Sequence, residues 1–338
     1  MKNIAIVAGG DSSEYEVSLK SAKGLYGFID RRLYRLFIVL IRNGKWTVEI
    51  PDGIRLEIDK NDFSFQLDGE KIKFDFAYIT IHGRPGEDGR LQGYFDMLGI
   101  PYSSCGVLAG ALTFNKYINN QFLKTQGVRV ADSIRLQKKY RGKIGETGKR
   151  ELNFQLSTIN YQLIDSLGLP VFVKPNDGGS SFGVTKVKEM TQMQAAIEKA
   201  FTEGNEVLIE RFIEGTEVTC GCYKTKTKQV VFPVTEVVTE NEFFDFNAKY
   251  KGEALEITPA RLPDELTTVI QQETLRIYDL IGAKGIIRID YIIPADNIPV
   301  LLDINTTPGM TETSFIPQQI KAAGLDIKNV MTDIIENV

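Results

Sequence analysis

Two short segments near the C-terminus carry side chains that could bind a metal ion beside a phosphate. Arg288 and Asp290 lie in one apolar run, and Asp303 and Asn305 lie in the next. The members of each pair are two positions apart, so in a β-strand they share a face. The stretch 294–299 between the runs is rich in turn formers and predicts a hairpin. Carboxylates, an amide oxygen and a guanidinium suit Mg²⁺ holding a nucleotide phosphate, although a solvated edge hairpin would show the same alternation.

A glycine-rich stretch could hold the phosphates themselves. Residues 173–184 contain three glycines together with Ser180 and Ser181, so the turn exposes backbone N–H groups that can cradle phosphate. Lys174, at the start of this stretch, could reach the same phosphates as a point charge. The spacing does not fit a Walker A loop, which needs Gly-Lys-Ser/Thr at the opening of a helix. The alternative is a glycine hairpin that binds no ligand.

Carboxylates at other strand ends are candidates for contacts with a nucleotide and a small substrate. Glu210 and Glu217 flank a turn, where they could accept from an adenine amino group or a ribose hydroxyl; ordinary surface carboxylates are the alternative. His82, the only histidine, follows an apolar strand, and Glu14 lies at a strand-to-helix junction. Ligands of open α/β sheets collect at such strand ends, although a lone loop histidine is often structural. The aromatic and charged segment 242–250 could form a lid or pack in the core.

The composition is that of an ordinary globular protein, and it narrows the range of partners. The chain has 338 residues, of which 43% are hydrophobic and 25% charged, which is enough for two or three domains. A net charge of −4 argues against nucleic acid or an acidic membrane surface as a partner. No apolar run approaches the roughly 20 residues of a membrane span, and the N-terminal run is too short for a signal peptide. Three cysteines without zinc-ligand spacing fit a reducing cytoplasm.

Periodicity and turn residues predict an α/β first domain followed by mixed α+β domains. Residues 1–104 are expected to form an open-sheet domain, since strand, glycine turn and helix open an α/β unit. The predicted strands are 3–8, 36–41, 74–81, 171–174, 207–212 and several between 217 and 238, with hairpins around 46–58 and 285–305. The predicted helices are 14–29, 91–98, 109–127, 160–167, 191–201, 318–323 and 330–338. The further domains are 105–210 and 211–338, and the basic stretch 137–153 is expected to be an exposed loop.

Seven short motifs follow one another along the chain. They are Gly9-Gly10-x-Ser12-x-Glu14-x-Glu16-Val17-Ser18, His82-Gly-x-x-Gly-Glu-Asp-Gly89, Gly99-Ile-Pro-Tyr102, Lys174-Pro, Gly179-Ser-Ser-x-Gly183, Arg288-x-Asp290 and Asn305-Thr-x-Pro-Gly-Met-Thr311. This order resembles that of the D-alanine–D-alanine ligases, which are members of the ATP-grasp superfamily. The resemblance covers nearly the whole chain, and the second and last motifs are highly specific together.

The resemblance implies both a fold and a reaction. The fold is ATP-grasp, in which an N-terminal open parallel-sheet domain precedes two α+β domains that clasp ATP. The reaction joins two D-alanines for peptidoglycan precursors. The carboxylate of the first attacks the γ-phosphate of ATP, and the amine of the second attacks the resulting acyl phosphate. Two Mg²⁺ ions, with Mn²⁺ as a substitute, are implied as cofactors. A homodimer is implied because the family is commonly dimeric.

The resemblance also assigns a group of residues to each task. The residues matched to catalysis are Glu14, Ser180, Tyr250, Arg288 and Gly309. Those matched to substrate binding are His82, Ser314 and Lys249. Those matched to ATP are Lys116, Lys174, Ser181, Glu210 and Glu217. Those matched to the metal ions are Asp290, Asp303 and Asn305.

Several of these assignments imply a specific contact. Glu14 is expected to bind the ammonium of the first D-alanine and to close the site through hydrogen bonds with Ser180 and Tyr250. Arg288 and the backbone N–H of Gly309 are expected to stabilise the tetrahedral oxyanion. Positive groups belong there because both steps of the reaction develop negative charge. Covering the site protects an acyl phosphate from water. The hydroxyl of Ser314 is expected to hold the carboxylate of the second substrate.

Two positions bear on the limits of the resemblance. Asp303 stands where the family usually has Glu, and its shorter side chain sets the carboxylate back by about 1.5 Å. Bidentate bridging of two metal ions is therefore in question. Tyr250 accompanies D-alanine as second substrate in this family, whereas D-lactate ligases generally lack it, so D-alanine is favoured and a related D-lactate or D-serine ligase is the alternative. The remaining alternative is a non-catalytic nucleotide-binding protein on the same scaffold, against which the retention of Glu14, Lys174 and Arg288 argues.

Overall fold

The strands of the described residues form three larger sheets and one small one, and the helices lie between groups of strands or after the last strand. The computed structural model describes residues 1–50, 53–138, 161–179, 182–239 and 254–337. The strands are β1 (Lys2–Gly9), β2 (Tyr34–Arg42), β3 (Lys45–Glu49), β4 (Arg55–Glu57), β5 (Ser64–Leu67), β6 (Glu70–Lys73), β7 (Phe76–Ile79), β8 (Ser133–Gln137), β9 (Val171–Pro175), β10 (Thr185–Val187), β11 (Glu206–Arg211), β12 (Thr216–Lys224), β13 (Gln229–Val231), β14 (Thr235–Thr239), β15 (Ala254–Ile257), β16 (Ile287–Ile293) and β17 (Val300–Asn305). The helices are α1 (Tyr15–Phe28), α2 (Arg90–Leu98), α3 (Val107–Phe114), α4 (Lys116–Thr125), α5 (Tyr161–Leu167), α6 (Met193–Glu203), α7 (Asp264–Leu280), α8 (Phe315–Ala322) and α9 (Ile327–Asn337), and a 3₁₀ turn covers Met190–Gln192.

The first sheet is parallel on one side and antiparallel on the other. Its strand order is β4-β3-β2-β1-β7. Strand β1 runs parallel to β2 and β7, whereas β3 and β4 are added as antiparallel neighbours. The hairpin predicted around 46–58 is therefore confirmed, and the expected parallel sheet is parallel only in β2, β1 and β7. The parallel strands read as continuous apolar runs because both faces are covered.

Two antiparallel sheets follow. The second has the order β10-β9-β11-β8 and the third has the order β15-β14-β12-β16-β17, with β13 also paired to β12. The hairpin predicted from the Arg288 and Asp303 segments is confirmed as the β16–β17 pair. In β16, buried and half-buried residues alternate strictly, which is the pattern of a strand with one face on the core.

Two differences from the predicted elements have identifiable causes. The single helix expected over 109–127 is two helices, because Asn115 is extended and its side chain accepts from the backbone N–H of Ile118 at 3.0 Å. Asparagine is a strong N-cap, so α4 starts afresh there. Helix α7 is missing from the predicted elements. Its signals were an acidic first turn at Asp264 and an apolar face that includes Ile270 and Ile277.

The two ends of the chain share one core. A single buried cluster joins residues of β1 and α1 to residues of α8 and α9, among them Ile6, Leu25, Ile320 and Ile334. Helix α1 also meets the loop before α8, since a Cβ at Gly24 would lie 1.9 Å from the carbonyl oxygen of Met310. Such a separation is far inside van der Waals contact. The first sheet is thereby held against the segment that follows β17.

Three further expectations concern membrane spans, the stretch 137–153 and the domain boundaries. No helix among the described residues is long and apolar enough to cross a membrane. The stretch 137–153 lies almost entirely outside the described residues. The division into 1–104, 105–210 and 211–338 stays a prediction, although the three larger sheets follow one another in that order.

Candidate active site

The β16–β17 hairpin gathers the four polar side chains that its spacing predicts. Arg288 is opposite Asn305, and Asp290 is opposite Asp303. The Arg288 guanidinium donates from Nε and Nη2 to the two oxygens of Asp290, each at 2.8 Å. The Thr219 hydroxyl, from the neighbouring β12, donates to the same carboxylate at 2.6 Å. Because Asp290 accepts from several donors, its carboxylate is held in a fixed orientation.

The hairpin offers a donor set of the kind that hard cations prefer. Asp290, Asp303 and Asn305 contribute two carboxylates and an amide on adjacent strands, and Asn305 Nδ2 lies 3.3 Å from Asp290. Within the described ranges, no group of three or more His, Cys, Asp or Glu side chains could hold a metal ion. The two carboxylates are therefore too few to hold Mg²⁺ alone. The amide oxygen of Asn305 and oxygens of a bound phosphate or of water would complete its coordination, as is common for Mg²⁺.

A large cavity lies between the second and third sheets. Its volume is about 470 Å³, within the range of small-molecule sites. Its polar lining includes most residues predicted to contact ATP and metal, namely Lys116, Lys174, Glu210, Glu217, Asp290 and Asp303. Its apolar lining includes Phe172, Phe182, Phe212, Val184 and Leu301. A pocket with both apolar and charged lining residues suits a flat base joined to a chain of phosphates. We call it the nucleotide cavity.

Two pairs of oppositely charged side chains contact each other in the nucleotide cavity. Lys174 Nζ lies 2.5 Å from Glu210 Oε2, and both side chains are nearly buried. Asn120 Nδ2 donates to the other oxygen of Glu210 at 3.2 Å. Lys116 Nζ lies 2.8 and 2.9 Å from the two oxygens of Asp303. Paired charges are the form in which ionised groups tolerate burial.

The break between α3 and α4 determines the position of Lys116. The helix that Asn115 caps begins at Lys116, and the backbone N–H of Lys116 donates to Asn176 of the glycine-rich stretch. Burial disfavours the charged side chain, yet Asp303, Glu210 and Glu87 outweigh it and raise the pKa of Lys116 above its ordinary value. Lys116 therefore carries its positive charge at neutral pH.

A much smaller polar pocket adjoins the nucleotide cavity. Its volume is about 30 Å³, and its lining includes Glu14, His82, Glu87 and Asn305. It shares Lys116, Gly178, Gly179 and Asp303 with the nucleotide cavity. A ligand group in this small polar pocket would thus lie beside the lysine and carboxylate at the end of the larger cavity.

The glycine-rich stretch closes on Glu14 at the entrance of helix α1. A Cβ at Gly179 would lie 2.7 Å from Glu14 Oε2, so any larger residue there would require the Glu14 carboxylate to shift. His82 is buried nearby, and its Nε2 lies 3.4 Å from the Ser21 hydroxyl. Burial lowers the pKa of His82 and Arg288 adds to that effect, while Glu14 opposes it. The imidazole is therefore neutral at pH 7, so one ring nitrogen can donate a hydrogen bond while the other accepts one.

Arg288, Gly309 and Ser314 form a second group beside the small polar pocket. They are not among the described residues that line either cavity. The Arg288 guanidinium lies 5.1 Å from the centre of the Phe315 ring. Ser314 precedes α8, its hydroxyl accepts from the backbone N–H of Thr311 at 3.0 Å, and a Cβ at Gly309 would lie 3.0 Å from it. The turn therefore brings Gly309 and Ser314 together.

Four predicted residues lie outside the described part of the chain: Ser180, Ser181, Lys249 and Tyr250. The structure brings the other predicted residues into one region, from Glu14 to the β16–β17 hairpin. Their individual roles stay predictions.

Several polar residues of this region are absent from the predicted set, Thr219, Thr307 and Glu87 among them. Thr219 binds Asp290, and its signal was only its place on a strand that pairs with β16. Thr307 donates to Glu87 at 2.7 Å. Glu87 lies in the motif His82–Gly89 and Thr307 in the motif Asn305–Thr311. The motifs indicate that the two residues belong to the site, but not which residues they contact.

Comparisons with known proteins agree over the whole length of the chain. Residues 3–105 match the family model for the D-ala D-ala ligase N-terminus, and residues 145–336 match that for the D-ala D-ala ligase C-terminus. A D-alanine--D-alanine ligase of Parabacteroides distasonis is 66% identical over 336 residues, which are 99% of this chain and 97% of that protein.

Solved structures extend the likeness to the fold. The VanG D-Ala:D-Ser ligase from Enterococcus faecalis has a TM-score of 0.84 at 30% identity, covering 99% of this chain and 98% of that one. A D-alanine--D-alanine ligase from Bacillus anthracis complexed with ATP has a TM-score of 0.73 at 27% identity, covering 99% and 97%.

Proposed function

Because the chain belongs to the D-alanine–D-alanine ligase family, we propose that it joins two D-alanines into D-alanyl-D-alanine at the expense of ATP. The observation that carries this proposal is the junction of the two cavities. A nucleotide-sized cavity meets a small polar pocket at Lys116 and Asp303. The terminal phosphate of a nucleotide in the first would therefore lie beside an amino acid in the second.

The first half of the reaction activates a D-alanine. Its ammonium pairs with Glu14, and its carboxylate oxygen attacks the γ-phosphorus of ATP, which gives D-alanyl phosphate and ADP. Lys116 and Lys174 neutralise the phosphates, since this step spreads negative charge over the transferred group. Both lysines leave their present partners, Asp303 and Glu210, to do so. Glu210 and Glu217 then accept hydrogen bonds from the adenine and the ribose.

The second half forms the peptide bond. The amine of the second D-alanine, which has lost its proton, attacks the acyl carbonyl, and phosphate leaves. Arg288 and the Gly309 N–H face the oxyanion of the tetrahedral intermediate, where preorganised donors have their largest effect. Ser314 receives the carboxylate of the second D-alanine, with Lys249 beside it. Ser180, Ser181 and Tyr250 complete the closed site in this proposal.

Mg²⁺ is the proposed metal, with Mn²⁺ as a substitute. Asp290, Asp303 and Asn305 would hold it, because the hairpin supplies hard oxygen donors next to two lysines that face phosphate. When bound, two such ions neutralise phosphate charge and align the transferred group. Lys116 binds both oxygens of Asp303 in this structure, so the lysine and a metal ion would compete for the same carboxylate.

The setting of the activity is part of the same proposal. The product serves peptidoglycan precursors and thus cell-wall growth, the enzyme works in the cytoplasm, and it assembles as a homodimer. Its three domains are 1–104, 105–210 and 211–338, and the last carries the metal and oxyanion residues.

A coupled assay tests the proposal directly. Phosphate release from ATP is measured with D-alanine alone, with D-alanine plus D-lactate and with D-alanine plus D-serine, and the products are identified by mass spectrometry. D-alanine alone is expected to give D-alanyl-D-alanine, and EDTA is expected to stop it.

Two results would overturn the proposal. Product formed only when D-lactate or D-serine is present would assign a related ligase. ATP binding without turnover on any of the three mixtures would assign a non-catalytic nucleotide-binding protein. D-serine belongs in the assay because the E. faecalis neighbour is a D-Ala:D-Ser ligase.

A further inference from the structure

Glu87 is a carboxylate of the small polar pocket to which the proposed reaction gives no task. It lies in the segment 82–89, which we call the histidine loop, and it is partly buried. The backbone N–H of Gly83 donates to Glu87 Oε2 at 2.7 Å, and the Thr307 hydroxyl donates to Glu87 Oε1 at 2.7 Å. One carboxylate thus joins the histidine loop to the segment that follows β17.

Thr307 lies in a short turn whose two ends are held by the N-terminal part of the molecule. At one end, the Thr307 side chain binds Glu87. At the other end, the backbone N–H of Met310 donates to the Ser21 hydroxyl of helix α1 at 3.3 Å. Gly24 of the same helix packs against the Met310 carbonyl. Residues 307–310, which we call the oxyanion turn, are thereby anchored on both sides.

Gly309 lies between these two anchors. Thr306, Thr307, Pro308 and Met310 are buried, whereas Gly309 keeps partial exposure. A backbone N–H has no side-chain rotamer to adjust, so its direction is set only by the residues that flank it. Holding Thr307 and Met310 therefore fixes where the Gly309 N–H points. A donor displaced by about 1 Å from its productive position can lose two orders of magnitude in rate.

We propose that Glu87 is a positioning residue that acts through the Thr307 hydroxyl to aim the Gly309 N–H at the developing oxyanion. This inference rests on the proposed function and on the proposed role of Gly309. It makes the N-terminal histidine loop a part of the machinery for the second half of the reaction. Glu87 itself touches no reacting atom in this role.

Four variants test the link, and each is assayed for kcat, for the KM of D-alanine, for the Kd of ATP and for the melting temperature. Glu87→Ala and Thr307→Val each remove one partner, and a combined Glu87→Ala/Thr307→Val variant removes both. Thr307→Val is close to isosteric and keeps the turn packed, so it decides the matter if Glu87→Ala fails to fold. Glu87→Gln is the conservative variant, since its amide can bind Thr307 while its carbonyl oxygen accepts from Gly83.

The expected pattern is a loss of turnover without a loss of nucleotide binding. Glu87→Ala and Thr307→Val each lower kcat by about 10- to 100-fold while the Kd of ATP stays as it was. The combined variant is no slower than the worse single variant, because both changes cut the same link. Glu87→Gln recovers most of the kcat. Glu70→Ala, a change of an exposed glutamate in β6, is the matched control and leaves all four quantities unchanged.

Three outcomes would overturn the inference. They are an unchanged kcat in Glu87→Ala and Thr307→Val, effects that multiply in the combined variant, and a Glu87→Gln variant as slow as Glu87→Ala. A wild-type protein with no D-alanine-dependent phosphate release would instead overturn the proposed function, so the two failures are distinguishable.

Discussion

The nucleotide cavity and the small polar pocket use different means to keep polar groups inside the protein. In the nucleotide cavity, of about 470 Å³, charges are balanced by opposite charges, as in the pairs Lys174–Glu210 and Lys116–Asp303. The small polar pocket, of about 30 Å³, shares the Lys116–Asp303 pair, but its own carboxylate Glu87 is held by hydrogen bonds to a backbone N–H and a hydroxyl group. An ion pair must open for a ligand phosphate to bind, whereas a hydrogen-bonded pocket is already in its working arrangement.

The difference has a consequence for what each region can be expected to control. Removing a charge from the nucleotide cavity leaves a partner charge uncompensated, so stability and nucleotide affinity should change. Removing a group beside the small polar pocket should change turnover first. Arg288 lines neither cavity but interacts with a residue of each, because it pairs with Asp290 of the nucleotide cavity and lowers the pKa of His82 in the small polar pocket. A variant at Arg288 therefore tests whether the two regions control different properties of the protein.

The largest effect is expected for Arg288→Ala. Loss of the guanidinium would remove a proposed donor to the oxyanion, and such losses lower kcat by about 10²- to 10³-fold or more, so turnover should be nearly abolished. The Kd of ATP should change little, because Arg288 does not line the nucleotide cavity. Phosphate release and calorimetric titration with ATP measure the two quantities. Arg288→Lys keeps the charge but loses the two-pronged contact with Asp290, and should be intermediate. Unchanged turnover in Arg288→Ala would remove its oxyanion role.

A large loss of stability is expected for Lys174→Met. The Lys174 and Glu210 side chains are only 10% and 6% exposed, so the variant leaves a carboxylate buried without its cation. Breaking a buried pair in this way costs about 3 kcal/mol of the free energy of unfolding. Urea unfolding measures the change. The combined Lys174→Met/Glu210→Gln variant should regain most of the loss, since no charge is then left alone. A combined variant as unstable as Lys174→Met would show that the lysine stabilises the fold by packing instead.

The same contrast explains how much the sequence alone could predict. Arg288, Asp290, Asp303 and Asn305 alternate on two strands with a turn between them, so the period of a strand was enough to bring them together. The register of these four residues follows from the alternation, whereas the shift by one residue between Asp290 and Tyr291 does not. This part of the site is local in the chain, and local pattern predicts it.

The small polar pocket could not be derived in this way. Glu14, Glu87 and Asn305 come from segments far apart in the chain, and they meet because both termini pack into one core. No periodicity encodes that contact. The motif order indicated which residues belong to the site, but only the three-dimensional structure shows the hydrogen bond between Glu87 and Thr307. The break at Asn115, which places Lys116, was missed because a capping asparagine inside a helical pattern resembles an ordinary polar position.

A smaller effect concerns the protonation of His82, the only histidine of the chain. Burial lowers its pKa below the ordinary value of 6.5. The unfolded chain therefore binds a proton more readily than the folded one, and the free energy of unfolding falls as the pH drops below about 6.5 towards the folded pKa. The single imidazole signal in a proton NMR titration reports the folded pKa directly.

The NMR titration also links the two regions. In Arg288→Ala the pKa of His82 should rise, since one of the charges that lowers it is gone. A His82 pKa above 6.5 in the wild-type protein would contradict the burial argument. A pKa that does not respond to Arg288→Ala would show that the two regions are electrostatically separate.

The smallest effect is expected where the histidine loop meets the glycine-rich stretch at the surface. Arg84 contacts Asp177, it lies 3.4 Å from Asp88, and its guanidinium is 5.3 Å from the centre of the Phe114 ring. The Arg84 side chain is 47% exposed, so water and salt screen its charge. Arg84→Gln should lower the free energy of unfolding by about 1 kcal/mol or less, and the difference should shrink at high salt. Urea unfolding at two salt concentrations measures it.

The histidine loop therefore offers a test of the comparison within one loop. Its surface contact is an ion pair, whereas its inner contact, from Glu87 to Thr307, is a pair of partly or fully buried groups joined by a short hydrogen bond. If hydrogen bonding governs turnover and ion pairing governs stability and affinity, Arg84→Gln should leave kcat unchanged while Thr307→Val lowers it. A large fall of kcat in Arg84→Gln would mean that the position of the glycine-rich stretch, and with it the closure over Glu14, depends on a surface charge.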